Sequence, residues 1–180
     1  MLTRVIRPAR SSTTGGVLMT SIAALALCAL IAGGCGAVRR GPVEQRSTQG
    51  PTSQQMLNVR ILKESGREPT FEERRQWDAM VEEKISAYLR AHPEKANALD
   101  VSTFRYLRQV ALGMDKEQVL ILLGPPVSVS GDQAEMEKIA RKYWSSIKGN
   151  ATEVWVYPLG WNMFFAGQRL IDITQYLPPT

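Results

Sequence analysis

Apolar residues recur at helical spacing in the middle of the chain and predict a long helix from Phe71 to about Ala91. Thr70 and Glu73 have the spacing of a capping box, in which each side chain satisfies the other residue's backbone amide. We expect the apolar stripe to pack on the domain's own core, and a partner-binding face is the alternative. The stripe comprises Trp77, Met80, Val81, Ile85, Tyr88 and Leu89.

Two shorter helices are predicted next. The first spans Thr103 to Leu112, with Phe104, Leu107, Val110 and Ala111 facing inward. The second lies within the run GMDKEQVLILLGPP, which starts at Gly113 and Met114 and encodes both ends of a helix. Asp115 caps the start, Gly124 permits the left-handed conformation that closes it, and Pro125 forbids continuation. Its predicted buried side chains are Val119, Leu120, Leu122 and Leu123.

The remaining pattern alternates short strands with one more helix. In chain order it predicts a strand at Val127–Ser130, a helix from Asp132 to Lys148, a strand at Glu153–Tyr157, and a hairpin of Trp161–Phe165 and Arg169–Gln175. Asp132 and Glu135 are predicted to form a capping box at the start of that helix. Gly167 occupies the hairpin position that needs a positive φ. Helices followed by an antiparallel meander indicate an α+β fold, with helices on one face of a small sheet.

The N-terminal residues have the order of a secretory signal peptide. Three arginines within the first ten residues precede an apolar stretch from Ile22 to Ala32, and two glycines follow it. The stretch is too short for a spanning helix, which needs about 20 apolar residues. A membrane anchor, or a signal cut elsewhere, is the alternative.

Cys35 gives this signal a second meaning, because a cysteine directly after the small residues resembles a bacterial lipobox. The resemblance implies cleavage between Gly34 and Cys35 and a covalent N-acyl and S-diacylglycerol lipid on Cys35. Ala32 stands where leucine is commonest in that motif. Residues 1–34 are thus a predicted lipoprotein signal, and no second cysteine remains to form a disulfide.

Residues 35–69 are polar and carry glycine and proline, so we predict a flexible tether, with a short helix at Met56–Lys63 as its only element. Residues 70–177 form the predicted domain. Loss of the signal removes three arginines and no acid, and lowers the formal charge from +5 to +2. No basic stripe interleaved with aromatics remains, so nucleic-acid binding is not expected.

Candidate catalytic chemistry is sparse, and we expect no enzyme, metal site or cofactor. His92 is the single histidine and stands beside a proline at a helix end. No histidine or cysteine cluster has zinc-binding spacing, and no nucleophile elbow or phosphate loop occurs. A hydrolase with His92 as its base is the less favoured alternative, because the sequence nominates no nucleophile.

Three segments together are similar to the BamE (SmpA/OmlA) family of small envelope lipoproteins. They are the run from Gly113 to Pro126, the strand at Glu153–Tyr157 with Trp155 and Tyr157, and Phe164 to Leu170 around Gly167. The resemblance covers residues 113–173 and implies N-terminal helices on a three-stranded antiparallel sheet. The helix from Asp132 to Lys148 is an insertion relative to the family, and Asp115 replaces its capping threonine.

With the lipobox, this resemblance implies an adaptor anchored in the outer membrane and facing the periplasm. No aspartate follows Cys35 to signal retention at the inner membrane, since Gly36 stands there. The expected partner is an envelope protein, with the β-barrel assembly machinery as one candidate. Trp155, Trp161 and Phe164 are candidate surface residues, with burial as the alternative. A binding or inhibitory module for another periplasmic protein is the competing function.

Overall fold

The computed structural model describes residues 41–96 and 101–179 and has an α+β fold. The strands are β1 (Val43–Ser47), β2 (Gln49–Thr52), β3 (Gln109–Ala111), β4 (Ser128–Ser130), β5 (Glu153–Val156), β6 (Trp161–Ala166) and β7 (Arg169–Leu177). The α-helices are α1 (Ser53–Ser65), α2 (Phe71–Ala91), α3 (Lys116–Leu123), α4 (Gln133–Ala140) and α5 (Trp144–Ile147). Five antiparallel strands form the main sheet in the order β1-β7-β6-β5-β4, and β2 pairs with β3. The predicted sheet of three strands is therefore too small.

The additional edge strand, β1, lies within the residues predicted to be a flexible tether. The tether prediction is therefore wrong from Val43 onward. It pairs antiparallel with β7, and Val43 lies opposite Leu177. The Arg46 guanidinium donates to both carboxylate oxygens of Asp172, at 2.6 to 3.0 Å, and Asp172 is only 3% exposed. An edge strand needs few apolar residues when backbone hydrogen bonds and one charged pair hold it in place. The polar composition of β1 therefore resembled that of a linker.

Helix α1 also belongs to the domain, and it confirms and lengthens the short helix predicted at Met56–Lys63. Thr52 and Gln55 form its capping box. Met56 and Leu57 are 4% exposed and lie in the main core. The predicted signal, Cys35 and the tether residues before Gly41 lie outside the described residues.

Helix α2 has the predicted bounds and the predicted Thr70–Glu73 capping box. Trp77, Val81, Ile85 and Tyr88 are buried, which confirms that this stripe packs on the domain's own core. Helix α3 likewise has both predicted ends: Asp115 and Gln118 form its capping box, and Gly124 follows it with φ 75°. Leu120 is 40% exposed, so its predicted burial is wrong.

The helix predicted from Thr103 to Leu112 is wrong in its second half. Thr103–Leu107 is a π-helical turn, Arg108 adopts a left-handed conformation, and β3 follows. Phe104 and Val110 are buried as predicted, but Leu107 is 59% exposed. Pairing of β3 with β2 supplies backbone hydrogen bonds that compete with the local helical preference.

The predicted helix from Asp132 to Lys148 is broken into two. The predicted capping box at its start is only half present. The Asp132 carboxylate accepts from the Glu135 amide at 2.9 Å, but the Asp132 amide donates to the Ser130 hydroxyl at 3.2 Å and not to the Glu135 side chain. The chain then leaves the helix at Arg141, where φ is 55°, and resumes as α5 after one 3₁₀ turn. The break brings the Tyr143 hydroxyl to the Glu44 carbonyl of β1, at 3.1 Å.

The main sheet is covered on both faces, since alternate strand residues belong to different cores. Trp155 and Phe165 lie in the larger core with helices α1, α2 and α3. Val154 and Phe164 lie in the smaller core with α4 and α5. Within residues 41–96 and 101–179, no helix has the length and apolar character needed to cross a bilayer.

Candidate functional site

The three aromatic residues predicted as a partner surface do not form one. Phe164 is fully buried beneath α4 and α5, and Trp155 is 7% exposed beside α3, where Lys116 lies 5.9 Å from its ring. Trp161 is half-buried against the larger core. The surface prediction assumed one open face of the sheet, whereas helices cover both faces, so the burial alternative is the correct one for Trp155 and Phe164.

The predicted motif residues instead join α3 to the hairpin. The Gly113 amide donates to the Leu170 carbonyl, and the Leu170 amide returns a bond to the Met114 carbonyl, both at 2.8 Å. Gly113 has φ 92°, and Met114 is fully buried. Gly167 has φ 58° at the hairpin turn, as predicted. This part of the motif therefore positions helix and sheet.

A side-chain hydrogen bond joins the C-terminal end of α3 to Tyr157, the residue that follows β5. The Tyr157 hydroxyl donates to the Gly124 carbonyl at 2.9 Å, and burial raises the pKa of this phenol above its usual value. Val119 and Leu123 of the same helix are buried in the larger core, as predicted. Pro125 is exposed and starts the chain on its path toward β4.

His92 lies at the C-terminal end of α2 among structural partners. Its ring centroid is 4.6 Å from that of Tyr88, and its nitrogens lie 3.4 Å from Glu94 and 3.8 Å from Glu117. Tyr88 donates to the capping carboxylate Asp115 at 2.5 Å. In the part of the chain that the structure describes, no group of three histidine, cysteine, aspartate or glutamate side chains is arranged to hold a metal ion.

The feature best suited to binding is the outer edge of β4. Across four neighbouring strands, Ile173, Met163, Trp155 and Val129 lie opposite one another in a single row. The first three belong to the larger core and are at most 7% exposed. Val129 ends the row at 53% exposed, and Val127, two residues earlier, is 70% exposed. The apolar row thus continues past the helices that cover it.

A groove of about 440 Å³ opens beside the start of β4. Its walls are largely apolar and come from α1, the end of α3 and the two proline segments: Met56, Val59, Leu123, Pro125, Pro126, Val127, Tyr157 and Pro158. Arg60, Lys63 and Glu64 of α1 form its charged rim. None of these three forms an ion pair with a described residue, and their net formal charge is positive. We call this groove and the outer side of β4 the β4 edge site.

The opposite edge of the sheet is less accessible. The Glu44 carbonyl of β1 accepts from the Tyr143 hydroxyl at 3.1 Å and from the Lys142 ammonium at 3.4 Å. Arg141 lies 3.6 Å from the Glu44 carboxylate. These side chains occupy positions that a pairing strand would need. The two edges therefore differ in their capacity to accept a strand.

Sequence reasoning identified Val127–Ser130 as a strand but not as a site. The pattern that predicted this strand was two valines separated by a serine, directly after two prolines. That spacing places both valines on one face, but it cannot show that the covering helices stop before reaching them. Comparisons with protein-family models, curated proteins and solved structures find no match to this chain.

Proposed function

We propose that the chain is a lipid-anchored adaptor of the bacterial envelope, and that it binds an extended segment of another envelope protein by strand addition at the β4 edge site. The observation that carries the proposal is the buried row of Ile173, Met163 and Trp155 that ends at exposed Val129. A guest strand would extend the sheet and cover Val129 with its own side chain. Main-chain hydrogen bonds supply affinity in this mode, and side-chain pockets supply specificity.

The groove indicates the chemistry of the guest. An apolar side chain fits walls built from Leu123, Pro125 and Pro126, and a nearby carboxylate complements Arg60 and Lys63 on the rim. We therefore expect an extended segment with alternating apolar residues and at least one acidic residue. By the family resemblance, an envelope protein of the β-barrel assembly machinery is the first candidate for this partner.

The anchoring part of the proposal depends on Cys35, which stands directly after the signal-like segment. Mass spectrometry of the chain purified from membranes tests it. We expect a mature N-terminus at Cys35 whose mass includes a glyceryl thioether esterified with two acyl chains and a third acyl chain on the α-amino group. A Cys35→Ser variant should release the chain from the membrane. An unacylated N-terminus would refute the anchor and leave the binding site untouched.

Site-specific photo-crosslinking tests the binding part. A photoreactive amino acid at position 129 should crosslink the partner. The same amino acid at position 43 on β1 is the matched control and should give less adduct. Peptide mapping of the adduct should place it in an alternating apolar segment that carries an acid. A Val127→Lys substitution should weaken the adduct at position 129. Equal adducts at positions 43 and 129, or adducts in a folded helix of the partner, would contradict strand addition.

A further inference from the structure

A second cleft, remote in sequence from β4, combines several departures from ordinary local structure. Its wall is the π-helical turn Thr103–Leu107, followed by Arg108 at φ 48° and ψ 40°. A non-glycine residue in this left-handed region is uncommon, and π-turns occur frequently at functional sites. The cleft has a volume of about 490 Å³. We call it the π-turn groove.

The floor of the π-turn groove contains an unpaired hydroxyl. Ser53 is fully buried, and its Oγ has no hydrogen-bond partner in the part of the chain described. The Ser53 backbone amide donates to the Arg108 carbonyl at 2.9 Å, which fixes the first residue of α1 against the strained turn. A buried hydroxyl without a partner is costly and calls for an explanation. A ligand hydroxyl that reaches the floor would supply the missing partner.

The walls carry balanced charge. The Arg108 guanidinium donates to Asp78 at 2.8 Å and to Glu82 at 3.2 Å. The Gln54 amide also donates to Asp78, at 2.7 Å. With Arg105, the lining has two cations and two anions, and its net formal charge is zero. This environment gives no advantage to a charged ligand, and it offers both donors and acceptors to a neutral one.

The rim provides apolar contact area. Tyr106 is 72% exposed and Leu107 is 59% exposed, and both line the groove. The Arg105 guanidinium carbon lies 5.5 Å from the centroid of the Tyr106 ring. The ring therefore offers an open apolar face next to polar groups. An exposed tyrosine of this kind suits a ligand that has both an apolar face and hydroxyl groups.

We propose that the π-turn groove binds a neutral saccharide. The C–H face of a sugar ring packs on Tyr106 and Leu107. Its ring hydroxyls, which both donate and accept, bond to Asp78, Glu82 and Gln54, and one hydroxyl reaches the Ser53 Oγ. This assignment accounts for the exposed aromatic ring, the balanced charges and the unpaired hydroxyl with one class of ligand.

Titration of the isotopically labelled full chain with neutral oligosaccharides tests the proposal by nuclear magnetic resonance. The probes are the tetramers of glucose in α-1,4 and β-1,4 linkage and the tetramer of N-acetylglucosamine. We expect at least one probe to shift the Tyr106 ring and Ser53 amide signals. Tyr106→Ala should weaken this binding at least tenfold. Phe71→Ala, which removes an aromatic residue that is 81% exposed elsewhere, is the matched control and should not.

A second variant keeps the test informative if Tyr106→Ala disturbs the turn. Ser53→Ala removes a hydroxyl that has no described partner, so the fold should be retained while saccharide affinity falls severalfold. Failure of all three probes to shift these signals would overturn the proposal. Shifts caused by an unstructured peptide and by no sugar would overturn it as well. Neither result bears on the β4 edge site, where Val127→Lys should leave saccharide binding unchanged.

Discussion

Thr52 and Ser53 are adjacent hydroxyl residues in opposite situations. The Thr52 hydroxyl accepts from the Gln55 amide at 3.2 Å as the cap of α1. The Ser53 hydroxyl is buried without a described partner. At the scale of single residues, the same functional group therefore stabilises the fold at one position and destabilises it at the next.

This contrast predicts substitutions of opposite sign. Ser53→Ala should raise the free energy of unfolding by about 1 kcal/mol, because it removes an unpaired buried hydroxyl. Thr52→Ala should lower it by about 1 kcal/mol through loss of the cap. Urea denaturation of both variants measures the effects. A loss of stability in Ser53→Ala would show that its hydroxyl is paired in solution.

Glu73 provides a pH-dependent contact at the start of α2. Hydrogen bonds from the Arg67 guanidinium, at 2.7 and 2.8 Å, and from the Thr70 amide lower the pKa of Glu73 to about 2, from 4.5. Because the folded pKa is depressed, the stabilisation is fully present above pH 4.5 and is lost as pH falls toward 2. The pair is exposed, so its contribution is small and sensitive to salt.

Glu73→Gln tests this contact while keeping a residue that is suitable for the capping box. Its unfolding free energy should lie below that of the unmodified chain near neutral pH, and the difference should shrink between about pH 4.5 and about pH 2. Glu83→Gln, at an exposed position of α2 without an ion pair to a described residue, is the control. A difference for Glu73→Gln that does not change with pH would contradict the assignment.

Gly160 shows how one turn depends on a missing side chain. Its φ is 70°, and a Cβ there would overlap the Tyr176 carbonyl oxygen of β7. Gly167 also has a positive φ, but open space surrounds it. Gly160→Ala should therefore cost more than about 3 kcal/mol, whereas Gly167→Ala should cost about 1 kcal/mol of backbone strain. Thermal denaturation measures both, and equal losses would contradict the steric argument.

At the scale of elements, helix α1 and strands β1 and β2 decide where the domain begins. Met56 and Leu57 of α1 lie in the larger core, and β1 completes one side of the main sheet. A chain that starts at Thr70 should therefore lack a cooperative unfolding transition, whereas one that starts at Gly41 should fold. Circular dichroism and a dispersed amide spectrum distinguish them. If the chain that starts at Thr70 folds, the prediction that residues 35–69 are a tether would be correct after all.

Elements with local start and stop signals could be predicted from the sequence. Asp115 with Gln118, and Thr70 with Glu73, define helix starts through side chains only three residues away. Strand β1 could not be predicted, because its pairing depends on β7, more than a hundred residues later. The Thr103–Leu112 segment has helical apolar spacing, but β2 competes for its second half. The β4 edge site depends on where helices end in space, which no local pattern encodes.

At the scale of the whole molecule, the sheet couples two cores. Trp155 and Val154 are neighbours on β5, yet they belong to the larger and the smaller core, respectively. A strand cannot expose the side chains of one face while the side chains of its other face stay packed. Both cores should therefore unfold in one transition, although their helices do not share a core.

Hydrogen exchange of variants tests this coupling. Ile147→Ala in the smaller core and Ile85→Ala in the larger core should each cost about 2 to 5 kcal/mol. Each should speed the exchange of the most protected amides of β5 and β6 by a similar factor per unit of lost stability. If Ile147→Ala accelerates only α4 and α5, the smaller core is a separate cooperative unit.

The side chains of Arg141, Lys142 and Tyr143 that occupy the β1 edge also limit how copies of the chain can assemble. Head-to-tail growth would require β4 of one copy to pair with β1 of the next, and the donors at the Glu44 carbonyl already fill that position. Of the two edges of the main sheet, β4 is therefore the one open to pairing with another copy, and pairing of β4 with β4 closes on itself after two subunits. A high local concentration should therefore yield pairs rather than filaments.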